Sequence, residues 1–470
     1  MNSRHQDPPT RQGSILFLSW ICFIASLGGF LFGYDTAVIS GTFEFVERQF
    51  GLTKVDVGWF GSAALMGCIL GAAVAGWFGD RYGPKPVLIV AGVFFFVSAL
   101  YSTIPDSFPV LIVARALGGV GVGMASVLAP MYISEFAPAR IRGRVVALYQ
   151  VSIGIGILAA YCMNFLLLTH AQESFSAGDT SSPLHYILVA EVWRGMFGME
   201  MFPAVVFTIL LFSVPESPRW LVKAGKEEQA FAVLSRIDGP EAAGRVLSDI
   251  NSALQREEGT VRELLRPGLR KALLLGVGLA FFGQLTGVNV VVYYGPTILR
   301  EAGLQSESAL FYQAALGTIG LIFTLFAVWK IDSWGRRPLL VGGMVFVTLA
   351  MAATAVLMLA GAPAIWIIVL LGIYMACLAV SICSVIWVMT PEIFPNRVRG
   401  RGSSIATFTN WSTNALVAFV FPWYVTTFGM HAGFFTFAAI CAAATLFFWK
   451  LTPETRGRTL EEIERSFAGQ

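Results

Sequence analysis

The chain has 470 residues, of which 56% are apolar and only 13% charged, with 38 Phe, 12 Trp and a mean hydropathy of +0.69. A soluble protein needs a far more charged surface, so a soluble fold is excluded, as is a soluble domain on a single anchor: at roughly 20 apolar residues per crossing helix, the apolar share supplies about twelve. The net charge of +3 excludes little by itself, whereas its distribution is informative.

Met1 to Gly13 is polar, and its Arg residues ahead of an apolar run imitate a secretory signal. The run continues through Gly33 without a convincing cleavage site, and the spans behind it need an uncleaved start. Apolar runs bounded by charges or turn residues predict spans at 15–38, 57–78, 86–104, 109–131, 145–168 and 195–214. Ser217 to Pro267 is the one long polar stretch. Within it Ala230, Val233, Leu234 and Ile237 recur at helical spacing, as do Val246, Ile250, Ala253 and Leu254, so short amphipathic helices under the membrane are expected rather than a plain linker. A second set of spans follows at 271–299, 309–330, 338–360, 364–389, 402–425 and 432–450, and Thr459 with Glu462 forms a capping-box pattern ahead of Ile463 and Phe467. The expected organisation is an N-terminal six-helix bundle (1–214), a cytoplasmic linker (215–270) and a C-terminal bundle with a tail (271–470).

If the first span starts inside, the loops placed outside hold just four cations, Arg48, Lys54, Arg194 and Arg300. Nearly all the others fall on the opposite side, so both termini are expected in the cytoplasm, in a multi-pass protein of the plasma membrane.

One charged sequence occurs twice. Glu135 with Arg140, Arg142, Gly143 and Arg144 returns as Glu392 with Arg397, Arg399, Gly400 and Arg401. In so weakly charged a chain this marks two copies of one membrane unit. The six Cys lie in or beside the spans without a CxxC, and the four His are scattered, with neither a metal-ligand cluster nor a nucleophile–base pattern. No enzyme activity, cofactor, metal site, disulfide or nucleic-acid partner is expected.

Several motifs occur in an informative order: Gly33-Tyr34-Asp35 in span 1, Arg115 to Arg144 around span 4, Pro215-Glu216-Ser217-Pro218-Arg219-Trp220 after span 6, and Pro453-Glu454-Thr455-Arg456-Gly457 after span 12. Leu117, Gly119, Gly123, Tyr132, Glu135 and Arg142 form one pattern, and Asp332 with Gly335-Arg336-Arg337 its companion. Over nearly its whole length the chain resembles the sugar porter family of the major facilitator superfamily. The resemblance implies an all-α membrane protein with the major facilitator fold: twelve transmembrane helices in two six-helix bundles, short cytoplasmic helices, a central cavity, and alternating access by rocking one bundle against the other. It also implies a neutral monosaccharide as cargo and a single chain as the functional unit.

A carboxylate within an apolar span is costly and usually faces a cavity, so Asp35 needs a reason. Burial disfavours the charged form of a carboxylate and a neighbouring guanidinium favours it, so an Asp whose Arg partner moves can bind and release a proton. Arg115 is the expected partner, and proton-coupled members of the family resemble this chain in having an Asp here, whereas many passive facilitators have an Asn. The alternative is a static ion pair fastening span 1 to span 4. Glu200, a second intramembrane acid, either tunes Asp35 or packs locally.

Sugar hydroxyls donate and accept, and a sugar also has an apolar face, so amides and indoles suit it. The expected contacts are Gln150, which matches a sugar-contacting Gln of the family, with Gln284, Asn289, Tyr293, Trp387, Asn410 and Trp411; Asn414 shares a helical face with Asn410. Gln284 and Asn289 would lie about 140° apart on a regular helix. Gly283, Gly287 and Gly295-Pro296 offer places for span 7 to bend, letting the amides converge and Tyr293 and Tyr294 act as an outer gate. Three departures stand out. Gly283 replaces the first of a Gln pair, Cys383-Ser384 replaces a Gly-Pro so that a proline-assisted bend in span 10 is expected to be lost, and Ile157 resembles hexose facilitators more than xylose symporters.

The cytoplasmic gate is assigned to Asp80, Arg81, Glu135, Arg142, Arg337, Glu392 and Arg399, where Glu135 can reach Arg142 and Glu392 can reach Arg399; ion pairs of these charges are expected to link the bundles when that side is closed, the alternative being topology signals with surface ion pairs. Proton-coupled uptake of a pentose or hexose is the leading reading. Passive facilitation is the nearest alternative, and a transporter-like sensor or a membrane enzyme is weaker.

Overall fold

A computed structural model describes residues 14–138, 141–175, 185–254, 261–395 and 398–456. The expectations on Met1 to Gly13, Arg140, Arg397, Gly457, Thr459, Glu462, Ile463 and Phe467 lie outside these, as do the side chains of Arg144, Ala253, Leu254 and Asp332. Among the described residues every regular element is helical.

The first half comprises α1 (Ile15–Val38), the short α2 (Phe43–Phe50), α3 (Lys54–Tyr82), α4 (Pro84–Thr103), α5 (Phe108–Phe136) and α6 (Arg142–Phe175), then a span broken into α7 (Val192–Gly198) and α8 (Met201–Leu211). Three linker helices follow: α9 (Pro218–Lys223), α10 (Glu227–Asp238) and α11 (Pro240–Leu254). The second half opens on a broken span, α12 (Pro267–Leu285) and α13 (Val288–Glu301), and continues with α14 (Ser306–Trp334) and α15 (Arg336–Leu359). It ends with the broken pair α16 (Ala364–Val380) and α17 (Ile382–Ile393), then α18 (Arg399–Phe428) and α19 (Met430–Leu451). The end carrying α9 to α11 is called inner and the opposite end outer.

Every expected span corresponds to a helix or to a broken pair of helices, and several run a turn longer than expected. The expected 57–78 becomes α3, whose first turn is closed reciprocally: Thr53 N–H donates to Asp56 Oδ2 at 3.0 Å and Asp56 N–H to Thr53 Oγ1 at 3.3 Å. Among the described residues eleven spans are long and apolar enough to cross a bilayer. The remaining one, α18, has 30 residues but is too polar to qualify by composition, because it turns Asn410, Trp411 and Asn414 toward a cavity rather than toward lipid.

Glycines set the packing within the first bundle. A Cβ at Gly119 of α5 would run into the Ala64 carbonyl oxygen of α3, so these helices approach as closely as backbones allow. The linker is as amphipathic as expected: α10 buries Ala230, Leu234 and Ile237. It is also fastened to α1, since Ser14 N–H donates to Arg236 O at 2.8 Å and the Arg236 guanidinium lies 3.9 Å over the Phe17 ring.

The bundles meet at the outer end. Tyr161 OH donates to Val292 O at 3.0 Å, the Phe43 and Tyr294 rings stack at 4.6 Å, and Trp59 meets Phe419 edge-on at 5.2 Å.

Candidate functional site

Between the bundles lies a cavity of about 190 Å³. Gln150, Gln284, Asn289, Tyr293, Trp387, Asn410 and Trp411 all line it, as does Asn414. Residues spread over 265 positions of sequence thus converge on one chamber.

The convergence depends on the break between α12 and α13. Gly287 sits at φ +87°, a left-handed conformation that other residues adopt only with strain. The chain therefore turns between the two amides, and Asn289 Nδ2 donates to Gln284 Oε1 at 2.5 Å, while Gln284 Nε2 donates to Asn410 Oδ1 at 2.7 Å. A backbone group freed by the break is taken up by a side chain, Tyr374 OH donating to Thr286 O at 3.0 Å, and further along α13 Gln313 Nε2 donates to Val291 O at 3.0 Å. Asn414 Nδ2 donates to Tyr293 OH at 3.2 Å. Trp411 Nε1 and Asn414 Oδ1 are buried with no partner, polar groups left for a ligand in the adjoining chamber.

The expected loss of a bend in span 10 is corrected. The helix breaks at Ser381, with φ −95° and ψ −108°, although no proline is nearby. Hydroxyls replace the proline's effect by capping the freed carbonyls, Ser384 Oγ donating to Ala379 O at 2.7 Å. Phe32, Thr36 and Met375 also line the chamber and were not singled out from sequence; Phe32 packs on Trp411 with ring centres 5.5 Å apart. An apolar residue in an apolar span carries no local signal of such a role.

Behind the α1 wall of the chamber, Asp35 (0% exposed) and Arg115 (1%) form the expected pair. Arg115 Nη1 lies 2.6 Å from Asp35 Oδ1, and Nη2 donates to the Asp35 backbone oxygen at 2.8 Å. The guanidinium carbon rests 5.0 Å over the Phe197 ring of α7. Glu200, at the break between α7 and α8, is fully buried with both carboxylate oxygens unpartnered. One guanidinium is therefore shared electrostatically by a cluster containing two carboxyl groups.

At the inner end the duplicated motifs occupy matching places. Glu216 accepts from Lys85 N–H at 3.3 Å and Ser217 N–H at 2.7 Å, and Glu454 accepts from Arg336 N–H and Arg337 N–H at 3.1 Å each. Each carboxylate thus caps a helix beginning just after a glycine turn, at Gly83 and Gly335. Burial pushes the Glu216 carboxyl above the ordinary range, and the two N–H donors work against that shift. Ser217 Oγ donates to Glu135, and Thr455 Oγ1 to Glu392 at 2.7 Å.

The expected Glu135–Arg142 and Glu392–Arg399 pairs do not form in this arrangement. Each Arg opens its helix, and its Nε turns back at 3.3 Å to a carbonyl closing the preceding segment, that of Ala137 or Phe394. Glu392 instead meets Arg336 Nη2 at 3.0 Å. Asp80 pairs with Lys223 at 2.9 Å, Arg81 lies 5.6 Å over the Trp77 ring, and Arg337 Nη2 donates to Trp449 O at 3.0 Å. These contacts stay within one bundle and its own linker or tail.

Comparison with known proteins agrees with this architecture. The chain is 36% identical to the D-xylose-proton symporter of Escherichia coli, over 94% of each chain, and 37% identical to the arabinose-proton symporter of Bacillus subtilis, over 97% of each. The partially occluded, inward-open structure of the xylose transporter XylE from E. coli superposes with a TM-score of 0.82 at 34% identity, covering 94% of this chain and all of that one. The family profile described as Sugar (and other) transporter matches residues 21–467, and the chain belongs to that family, with the major facilitator fold.

Proposed function

We propose that the protein is a proton-coupled monosaccharide symporter of the plasma membrane, working by alternating access, with a pentose or hexose as cargo. The observation that carries the proposal is the fully buried ion pair between Asp35 and Arg115, placed behind a chamber of convergent amides and indoles. The names of the relatives, symporters of xylose and arabinose with protons, support the same reading.

In this cycle Asp35 carries the proton. Its ionised form holds Arg115, and protonation frees the guanidinium, loosening α1 from α5 so that the bundles rock. Glu200, sharing the cluster, competes for Arg115 once Asp35 is neutral. Gln150, Gln284, Asn289 and Asn410 bond the sugar hydroxyls, Trp387 and Trp411 cover its apolar face, and Tyr293 closes above it. The inner end faces the cytoplasm, as do both termini, and the moving units are 1–214 and 271–470, joined by 215–270. The protein acts as a carrier rather than an enzyme, and one chain is the functional unit. Glu135 and Glu392 take up Arg partners across the bundles when the inner end closes.

The test is uptake of labelled pentoses and hexoses into proteoliposomes with and without an imposed pH gradient. Accumulation should require the gradient, and Asp35→Asn should abolish accumulation while sparing sugar exchange. Gradient-driven accumulation by that variant would remove Asp35 from the coupling role.

A further inference from the structure

Two charged residues at the outer end have no part in the cycle just described. Arg300 Nη1 lies 2.6 Å from Glu44 Oε2, and Ser306 Oγ donates to the same oxygen at 2.7 Å. Glu44 stands on α2, in the first bundle; Arg300 and Ser306 belong to the second. The pair therefore spans the surface along which the bundles must part.

Both partners are mounted rigidly. α2 is tied into its own bundle from the other end: Gln49 Nε2 donates to Glu191 at 2.8 Å, Trp193 Nε1 donates to Gln49 Oε1 at 2.7 Å, and Glu47 pairs with Lys54. Arg300 occupies the last turn of α13, a helix of 14 residues whose first turn presents Asn289 to the chamber, roughly 16 Å away along the axis by helical rise. Midway, the Val292 carbonyl is held by Tyr161, and Tyr294 stacks on Phe43, the residue preceding Glu44. A half-helix secured at its far end cannot swing away from the chamber without first releasing that end.

We propose that Glu44 is a positioning residue of the outer gate: its ion pair with Arg300, reinforced by Ser306, is a latch that holds α13 over the chamber and parts when the outer end opens. The side chains of Arg300 and Glu44 are 27% and 40% exposed, so water screens the pair. It biases the gate by about fivefold at most, enough to favour closure and weak enough to break in every cycle. The inference rests on the alternating-access reading above, but it concerns the outer gate and not the proton.

The test uses the full-length chain with its six native cysteines replaced and Val292→Cys as reporter, a position lining the chamber beneath the latch. Right-side-out vesicles are treated from outside with a membrane-impermeant maleimide. Glu44→Gln and Arg300→Gln should each raise the labelling rate about two- to fivefold, and Ser306→Ala by less. The double exchange of Glu44→Arg with Arg300→Glu should return the rate toward that of the parent. Unchanged labelling in both single variants overturns the latch, and so does a double exchange labelled as fast as either single variant. Because labelling is read instead of uptake, the result stands whether or not accumulation follows a pH gradient.

Discussion

Gln284 is the side chain on which the chamber's polarity turns, since it accepts from Asn289 and donates to Asn410. Gln284→Ala would remove its own contact with the sugar and also leave both neighbouring amides free to rotate. Two or three hydrogen bonds at about 1 kcal/mol each correspond to roughly a 30- to 150-fold loss of sugar affinity. Calorimetric titration of the detergent-purified protein reads this directly, and a change below about threefold would place Gln284 outside the sugar's reach. Amides such as this were legible in the sequence because placing one in an apolar span costs free energy, so each needs a partner or a ligand. Phe32 and Met375 line the same wall and were not legible. Their side chains suit lipid, a helix neighbour or a sugar ring equally well, and only the fold decides among these.

Broken helices are the elements that build the site, and the two breaks in the second half arise by different means. At Gly287 the backbone takes a φ of +87°, and a Cβ would press on the Phe437 ring at 3.2 Å. Gly287→Ala therefore combines about 1–2 kcal/mol of left-handed strain with that contact. It should lower the melting temperature and weaken sugar binding together, because the segment relaxes by swinging Asn289 out of register with Gln284. Thermal unfolding and sugar titration of one preparation check the coupling; a variant that lost stability yet bound sugar normally would show that the break does not set the amide geometry. The bend at Gly287 could be read from sequence because glycine announces it. The bend at Ser381 could not, because serine at the break and at position 384 is ordinary in a membrane helix, and its hydroxyl capping is visible only once the carbonyls of Leu378 and Ala379 are seen within reach.

At the scale of the whole molecule, the duplicated charges revealed two related bundles, but not which ion pairs exist at any moment, because one set of charges serves both arrangements of an alternating carrier. The inner end also shows an asymmetry between the copies. Glu392 is held within its own bundle by Arg336 and by Thr455, whereas Pro84 stands at the place matching Arg336 and leaves Glu135 with the Ser217 hydroxyl and the more distant Arg219 guanidinium. Glu392 thus already has an ion-paired cation in this arrangement, whereas Glu135 feels the Arg219 guanidinium only beyond ion-pair distance and gains a paired cation on closure. Glu135 should therefore contribute more of the free energy that closes this end. In inverted vesicles, with a reporter introduced by Ser404→Cys on the exposed inner part of α18, Glu135→Gln should raise the rate of labelling by an impermeant maleimide about fivefold, a charge pair's worth of bias, and Glu392→Gln by less. Pro84→Arg supplies the missing cation and separates this account from a general weakening of the inner end. By satisfying Glu135 inside its own bundle it should reproduce the open bias of Glu135→Gln without removing any carboxylate. Equal labelling of the two Glu variants, or a Pro84→Arg protein that labels like the parent, would mean that the two copies of the motif share the gate evenly.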